Sequence, residues 1–338
     1  MTAATAVLVL TWLALTAYAL LAGADFGAGV WDLVAGSASR GQPRRKLIEH
    51  VIGPVWEANH VWLIFVLVLL WTAFPTVFAA VASTEWIPLT LAALGIIGRG
   101  SAFAFRKTVT EVWQQRLFGA TFAVSSVVTP FFLGAVAGAL ATDRVPPGIA
   151  AGDVWRSWTG PLPLLTGVLA VVACAFLAAT YLCGDAARTG DLAVADWFRR
   201  CAIGSGVVAG ALSLAGIAVA HSDARRLYDG LTGRALPLVL VSAAGGVAAL
   251  GLVVGRRYLV ARVAAALAVV GVVWGWGVAQ YPHLLPGLDV SGAAAAPTTL
   301  HAMLVTSLIG LAILAPAMYW LFRLFSSAGD VAEGGQRP

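Results

Sequence analysis

Ionisable side chains within long apolar stretches are the residues of this sequence best suited to chemistry. They are Asp25, Asp32, Glu57, Glu85 and Arg99. A charged side chain is costly inside a bilayer, so each of them is a functional candidate. A desolvated carboxylate binds a proton more readily than one in water. The chemistry that these residues favour is therefore proton transfer or ion binding.

The elements that position these residues must be membrane-spanning helices. The chain has 338 residues, of which 60% are hydrophobic and only 11% are charged. Soluble domains carry about 25% charged residues, so the composition excludes a water-soluble enzyme. The basic residues are spread between apolar runs and do not form the basic face that nucleic acid requires. We expect one integral membrane domain over residues 1–338, surrounded by lipid and without a nucleic-acid partner.

Apolar runs bounded by charge, proline or polar clusters predict an all-α polytopic bundle with about nine transmembrane helices. The predicted spans are 5–35, 53–75, 80–105, 117–141, 162–184, 201–221, 236–255, 263–281 and 300–325. Little polarity separates the second span from the third, although Pro75 indicates a break there. Glu85 then falls near the outer end of the third span, where we expect an interfacial position.

The distribution of basic residues predicts the orientation. With the N-terminus outside, fifteen Lys and Arg lie in inner loops, five lie in outer loops, and Arg99 lies within a span. Cytoplasmic loops are enriched in Lys and Arg. The sequence therefore predicts an outer N-terminus and a cytoplasmic C-terminus.

Three of the ionisable residues are expected to meet in the cytoplasmic half of the membrane. Asp25 falls in the inner half of span one, Glu57 lies about one turn into span two, and Arg99 lies near the inner end of span three. One interpretation is a buried ion pair, in which Arg99 neutralises one carboxylate and holds the helices in register. The other is a proton path, in which the carboxylate left over titrates.

Metal and haem ligands are expected to be absent from this chain. Among the histidines, only His60 lies well inside a predicted span, because His221 and His301 fall at span ends, and Met303 is the nearest soft ligand elsewhere, so we expect no haem here. Cys174, Cys183 and Cys201 have no C-x-x-C spacing, which makes a metal site or redox pair improbable.

Three motifs in the first third of the chain resemble subunit II of the cytochrome bd quinol oxidases. GADFGAGVWDL at 23–33 is similar to the first-helix signature of that family, and GPVWEANHVWLI at 53–64 is similar to its second-helix motif. GRGSAFAFRK at 98–107 resembles the end of its third helix. The remaining two thirds of the chain resemble the family only in general character. Within them, APTTLHAML at 296–304 resembles the start of the family's last helix.

The resemblance implies a role in a terminal oxidase of a bacterial cell membrane. Such an oxidase takes electrons from menaquinol or ubiquinol and reduces dioxygen to water with cytoplasmic protons. Haem b and haem d would be held by the partner, subunit I, and a small accessory subunit is a further expected partner. This chain would stabilise subunit I.

The resemblance also implies roles for individual residues. Glu57 stands where the family has an acid, more often Asp, at the mouth of a proton path, and Asp25 and Asn59 are expected beside it. Arg99 matches a basic position near which some relatives hold a structural quinone, so it is expected to contact a quinone or to act as a counter-charge. Trp56, Trp62 and Gly27 are motif residues that we expect to serve packing.

Two other functions compete with this one. A secondary transporter could use Asp25, Glu57 and Arg99 to bind a substrate or a coupling ion. Transporters often contain helices interrupted at Gly or Pro, whereas the prolines here fall mostly at span ends. The third hypothesis keeps the oxidase complex but makes this chain a scaffold whose acids only pack.

Overall fold

The computed structural model describes the backbone of residues 2–52, 56–106, 108–109 and 111–334. The side chains of residues 38, 52, 56–58, 106, 112, 315, 318–319 and 321–334 lie outside the description. Everything below refers to the described residues.

Helices account for nearly all of the described secondary structure. They are α1 Ala3–Leu33, α2 Ala38–Ile52, α3 Trp56–Ala73, α4 Pro75–Thr84, α5 Trp86–Arg106, α6 Val112–Ala141, α7 Pro161–Arg188, α8 Leu192–Asp223, α9 Arg225–Thr232, α10 Leu236–Val254, α11 Tyr258–Gln280, α12 Val290–Ala293 and α13 Pro297–Gly334. Two short antiparallel strands, β1 His283–Leu285 and β2 Leu288–Asp289, form a hairpin before α12.

The predicted all-α polytopic fold is confirmed. Eight of the described helices are long and apolar enough to cross a bilayer, and a ninth span arises if the bent pair formed by α3 and α4 counts as one. Helices α2 and α9 are too short or too polar and lie between spans. The third span differs in detail from its prediction over 80–105, because residues 80–84 belong to α4 and α5 begins at Trp86.

The break between α3 and α4 has a local cause. Proline has no backbone N–H, and it disfavours helical backbone at the residue that precedes it. Phe74 leaves the helical region, at φ −134° and ψ 60°, and Pro75 occupies the first turn of α4. The two helices diverge by 118°. The backbone N–H of Ala295 donates to the Ala73 carbonyl at 2.8 Å, which satisfies one acceptor freed at the break.

Helix α1 lies at the centre of the bundle and packs against α3, α6 and α7. Its closest approach is to α7 at Gly27, where a Cβ atom would lie 1.9 Å from the carbonyl oxygen of Cys174. The absence of a side chain at Gly27 therefore lets the two backbones touch. This contact fixes the position of the preceding turn of α1, which carries Asp25.

An ion pair joins three helices at the end of the bundle where α8 ends and α7 begins. Asp223, at the end of α8, forms a salt bridge with Arg144 and accepts a hydrogen bond from the backbone N–H of Leu162 at 3.0 Å. Leu162 lies in the first turn of α7, where backbone N–H groups have no partner within the helix. Asp223 therefore caps α7 and ties α6, α7 and α8 together.

We expect Asp223→Ala to destabilise the protein by about 1–2 kcal/mol, because a helix cap and a partly buried pair are lost together. Asp229→Ala is the matched control, since its pair with Arg225 is exposed on both sides and exposed pairs contribute about 0–1 kcal/mol. Thermal unfolding of the purified protein measures both. Equal shifts in Tm would contradict the capping role.

Candidate functional site

The centre of the candidate site is a buried ion pair between α1 and α5. The Arg99 guanidinium makes a two-pronged contact with the Asp25 carboxylate, with Nη1 at 2.6 Å from Oδ2 and Nη2 at 2.8 Å from Oδ1. Nη2 also donates to the backbone carbonyl of Asp25 at 3.0 Å. Arg99 is 1% exposed and Asp25 is 4% exposed, so the pair is shielded from its surroundings.

Helix α6 and two aromatic rings complete the environment of Arg99. Its Nε donates to the hydroxyl of Ser126 at 3.0 Å. The guanidinium lies over the rings of Phe26 and Phe122, at 5.0 and 4.6 Å from their centroids. A buried ion pair is stable only where geometry and further hydrogen bonds offset desolvation, and both are present here. Four of the five N–H donors of Arg99 are accounted for by these contacts.

A second acid of α1 is paired near the C-terminal end of that helix. The Asp32 carboxylate lies 3.1 Å from Nε of Arg45, which belongs to α2. Asp32 is 6% exposed. Both acids of the first-helix motif therefore have an arginine partner, Asp25 within the bundle and Asp32 at its edge.

The second-helix motif lies in part outside the described side chains. The α3 backbone begins at Trp56, which places Glu57 in the first turn, but the side chains of Trp56 and Glu57 are not described. Asn59 is 3% exposed, and its Nδ2 donates to the Leu21 carbonyl of α1 at 3.4 Å. Trp62 packs against the buried cluster that contains Tyr18 and Phe26. The structure thus brings Asn59 and Trp62 onto α1.

His60 lies in an aromatic environment near the ion pair. Its ring centroid is 6.2 Å from that of Tyr18 and 6.0 Å from that of Phe26. Met303 instead packs in the separate cluster around Val7 and Leu69. His60 and Met303 are therefore not brought together as a pair of axial haem ligands. Within the described part of the chain, no three His, Cys, Asp or Glu residues form a group suited to a metal ion.

Glu85 is buried to a degree that the sequence does not show. It lies between α4 and α5, near the span end where it is expected, but it is 0% exposed. The connection between α6 and α7 folds over it, and a hydropathy pattern does not show that long-range contact. The acid follows Ser83 and Thr84 at a helix end, which gave the only local indication of a polar site.

The fold and the ion pair define a polytopic α-helical membrane protein in which a buried ion pair joins α1 to α5 and a hydrogen bond joins α5 to α6. A family model for cytochrome bd terminal oxidase subunit II matches residues 3–325. The chain belongs to this family. Its apolar helices and its bacterial relatives make it a multi-pass bacterial membrane protein.

Individual relatives agree with this family. The chain is 33% identical over 114 residues to cytochrome bd ubiquinol oxidase subunit 2 of Bacillus subtilis strain 168, covering 34% of this chain and 33% of the relative. It is 27% identical over 175 residues to cytochrome bd-I ubiquinol oxidase subunit 2 of Escherichia coli K12, covering 50% of this chain and 45% of that one. These two matches thus span a third to a half of each relative.

A longer alignment and a solved structure extend the similarity to most of the chain. The putative cytochrome bd menaquinol oxidase subunit II of Bacillus subtilis is 19% identical over 319 residues, covering 91% of each chain. A chain of the bd oxidase from Geobacillus thermodenitrificans has the same fold, with a TM-score of 0.77 and 24% identity. That match covers 96% of this chain and 99% of the other.

Proposed function

We propose that this chain is the subunit II of a quinol-oxidising, oxygen-reducing membrane complex, in which it packs against a haem-bearing subunit I. The observation that carries the proposal is the family match over residues 3–325, which includes every motif helix. In this complex the haems b and d supply the electron transfer and oxygen chemistry, and they are held by subunit I. The residues of this chain exclude lipid and water and conduct protons.

Our second proposal concerns protons and rests on charge balance around Arg99. Its single positive charge is balanced by Asp25 at contact distance. Glu57, in the first turn of α3, is then an additional acid at the inner side. The single charge of Arg99 does not neutralise a second carboxylate. An acid in that position binds a proton from the aqueous phase, because a charged carboxylate is costly inside the bilayer. It then releases the proton further along the path. We assign proton uptake to Glu57, with Asn59 beside it and Asp25 as a fixed partner of Arg99.

The same contacts favour a counter-charge role for Arg99 over contact with a quinone. A quinone headgroup would reach the guanidinium only by displacing Phe26 or Phe122, because Arg99 is 1% exposed and the two rings lie over it. The donors are already committed to Asp25 and Ser126. We therefore assign no quinone to this residue.

Copurification tests the first proposal. A tag on this chain should bring down a haem-bearing membrane subunit, with any small accessory subunit, and the preparation should consume oxygen when quinol is added. A chain that is stable alone, binds no haem-bearing partner and transports a solute in vesicles would contradict it and would favour a transporter.

Glu57→Gln tests the proton role. We expect the variant to assemble with full haem content but to reduce oxygen at least about tenfold more slowly. Removing a positioned proton-transfer group typically lowers the rate of the step it serves by 10²–10⁴-fold. Glu57→Asp should restore most of the rate, because it keeps the acid. Unchanged turnover in Glu57→Gln would leave this chain a scaffold.

A further inference from the structure

Three buried polar side chains lie together where α4 ends and α5 begins, at the end of the molecule that the basic residues predict to be the outer one. Thr84, Glu85 and Ser157 are each 0% exposed. Among the described residues, none of their side-chain oxygens has a well-aligned hydrogen bond. Most buried polar groups in proteins are hydrogen bonded, so this group requires a physical explanation.

The connection between α6 and α7, residues 142–160, covers this group; we call it the outer loop. The backbone N–H of Ala150 donates to the hydroxyl of Ser83 at 2.8 Å. A Cβ atom on Gly152 would lie 2.5 Å from Cγ2 of Thr84, so the loop backbone is in close contact with the helix junction. The outer loop therefore covers the helix junction that carries Glu85.

The charged groups on the surrounding elements have other partners. Asp143 pairs with Arg226, Arg144 with Asp223, and Arg99 with Asp25, while Asp153 accepts the backbone N–H of Arg156 and Asp289 accepts the hydroxyl of Ser291. Among the described residues, no charged neighbour shifts the pKa of Glu85. Burial raises the pKa of Glu85, which lies between the spans, from 4.5 to about 7, and the Ser157 hydroxyl opposes this by lowering it.

We propose that Glu85 is a proton-binding site on the outer side of the membrane, whose protonated form holds the outer loop against the junction of α4 and α5. The neutral acid can be buried beside the Ser157 hydroxyl at small cost. The ionised acid would be an isolated buried charge and would require water. This site is separate from the inner proton path and does not depend on Glu57.

The direction of the pH dependence follows from the two states. With the loop open, Glu85 is solvated and keeps its ordinary pKa of 4.5, whereas docking raises the pKa to about 7. Docking is therefore strongest where Glu85 is protonated in both states, and it weakens as the pH rises from 4.5 through 7. By linkage, the equilibrium constant for loop opening should increase about tenfold between pH 6 and pH 8.

Hydrogen exchange in the intact complex in lipid nanodiscs measures this opening. The amides of Ala150 and Gly152, corrected for intrinsic exchange rates, should be protected at pH 6 and about tenfold less protected at pH 8. Glu85→Gln should remove the pH dependence. Glu111→Gln, an exposed acid before α6, is the matched control and should keep the wild-type profile. A wild-type profile identical to that of Glu85→Gln would overturn the proposal.

Ser157→Ala gives a second test that keeps the acid in place. Because the hydroxyl lowers the pKa of Glu85, its removal should move the midpoint of the exchange profile to higher pH. Infrared spectroscopy should show a protonated carboxyl band that disappears over the same range in the wild type. A midpoint that does not move, or a carboxyl that stays ionised at pH 6, would also overturn the proposal.

Discussion

Arg99→Met is expected to remove most of the stable protein, because it leaves the Asp25 carboxylate buried without a cation. Asp25 is 4% exposed, and breaking one side of a buried pair costs about 3–5 kcal/mol. The double variant Asp25→Asn with Arg99→Met removes both charges and should recover much of that loss. Thermal unfolding and the yield of the assembled complex measure Arg99→Met, the single variant Asp25→Asn and the double variant.

The control for this cycle is Arg45→Met. Arg45 is 24% exposed at its side chain and pairs with Asp32 at the inner edge, so we expect a loss of about 1 kcal/mol or less. If the losses in the Asp25 and Arg99 single variants simply added in the double variant, the two side chains would not be coupled and the ion pair would not hold the helices.

Gly27→Ala is the second change for which we expect a large effect. The new Cβ would lie 1.9 Å from the carbonyl oxygen and 2.3 Å from the carbonyl carbon of Cys174. Backbone atoms cannot rotate away, so α1 and α7 would have to separate. Overpacking typically costs about 1–3 kcal/mol and can cost more. The shift would also displace Asp25, two residues earlier, from Arg99.

Gly210→Ala is the matched control on α8. A Cβ there meets nothing within 4 Å, and alanine is the better helix former by about 1 kcal/mol. We expect Gly210→Ala to be neutral or slightly stabilising by thermal unfolding, with Gly27→Ala strongly destabilising. Equal behaviour of the two variants would show that α1 and α7 are not in the close contact described.

The sequence predicts the fold class because hydropathy and charge are local signals. It indicates the break at Pro75 but not the separate helix α4, since a helix that bends by 118° looks apolar on both sides of the bend. The single membrane domain over 1–338 and the orientation that the basic residues indicate stay predictions.

The candidate site could be predicted only in part. Sequence position places Asp25, Glu57 and Arg99 at one depth, but it does not give the rotation of each helix about its axis. That rotation decides which acid meets Arg99, and the structure gives Asp25. The Glu57 side chain lies outside the described residues, so its role stays a prediction. The sequence does not show the burial of Glu85, because a loop more than fifty residues later in the chain covers it.

Proton uptake from the inner aqueous phase tests the central claim most directly. The assembled oxidase is placed in sealed vesicles with a pH indicator on the side that the basic residues predict to be cytoplasmic, and uptake is followed during a single turnover with oxygen. We expect Glu57→Gln to slow uptake at least about tenfold while haem content stays full, and Glu57→Asp to take up protons at close to the wild-type rate. Uptake in Glu57→Gln as fast as in the wild type would contradict it.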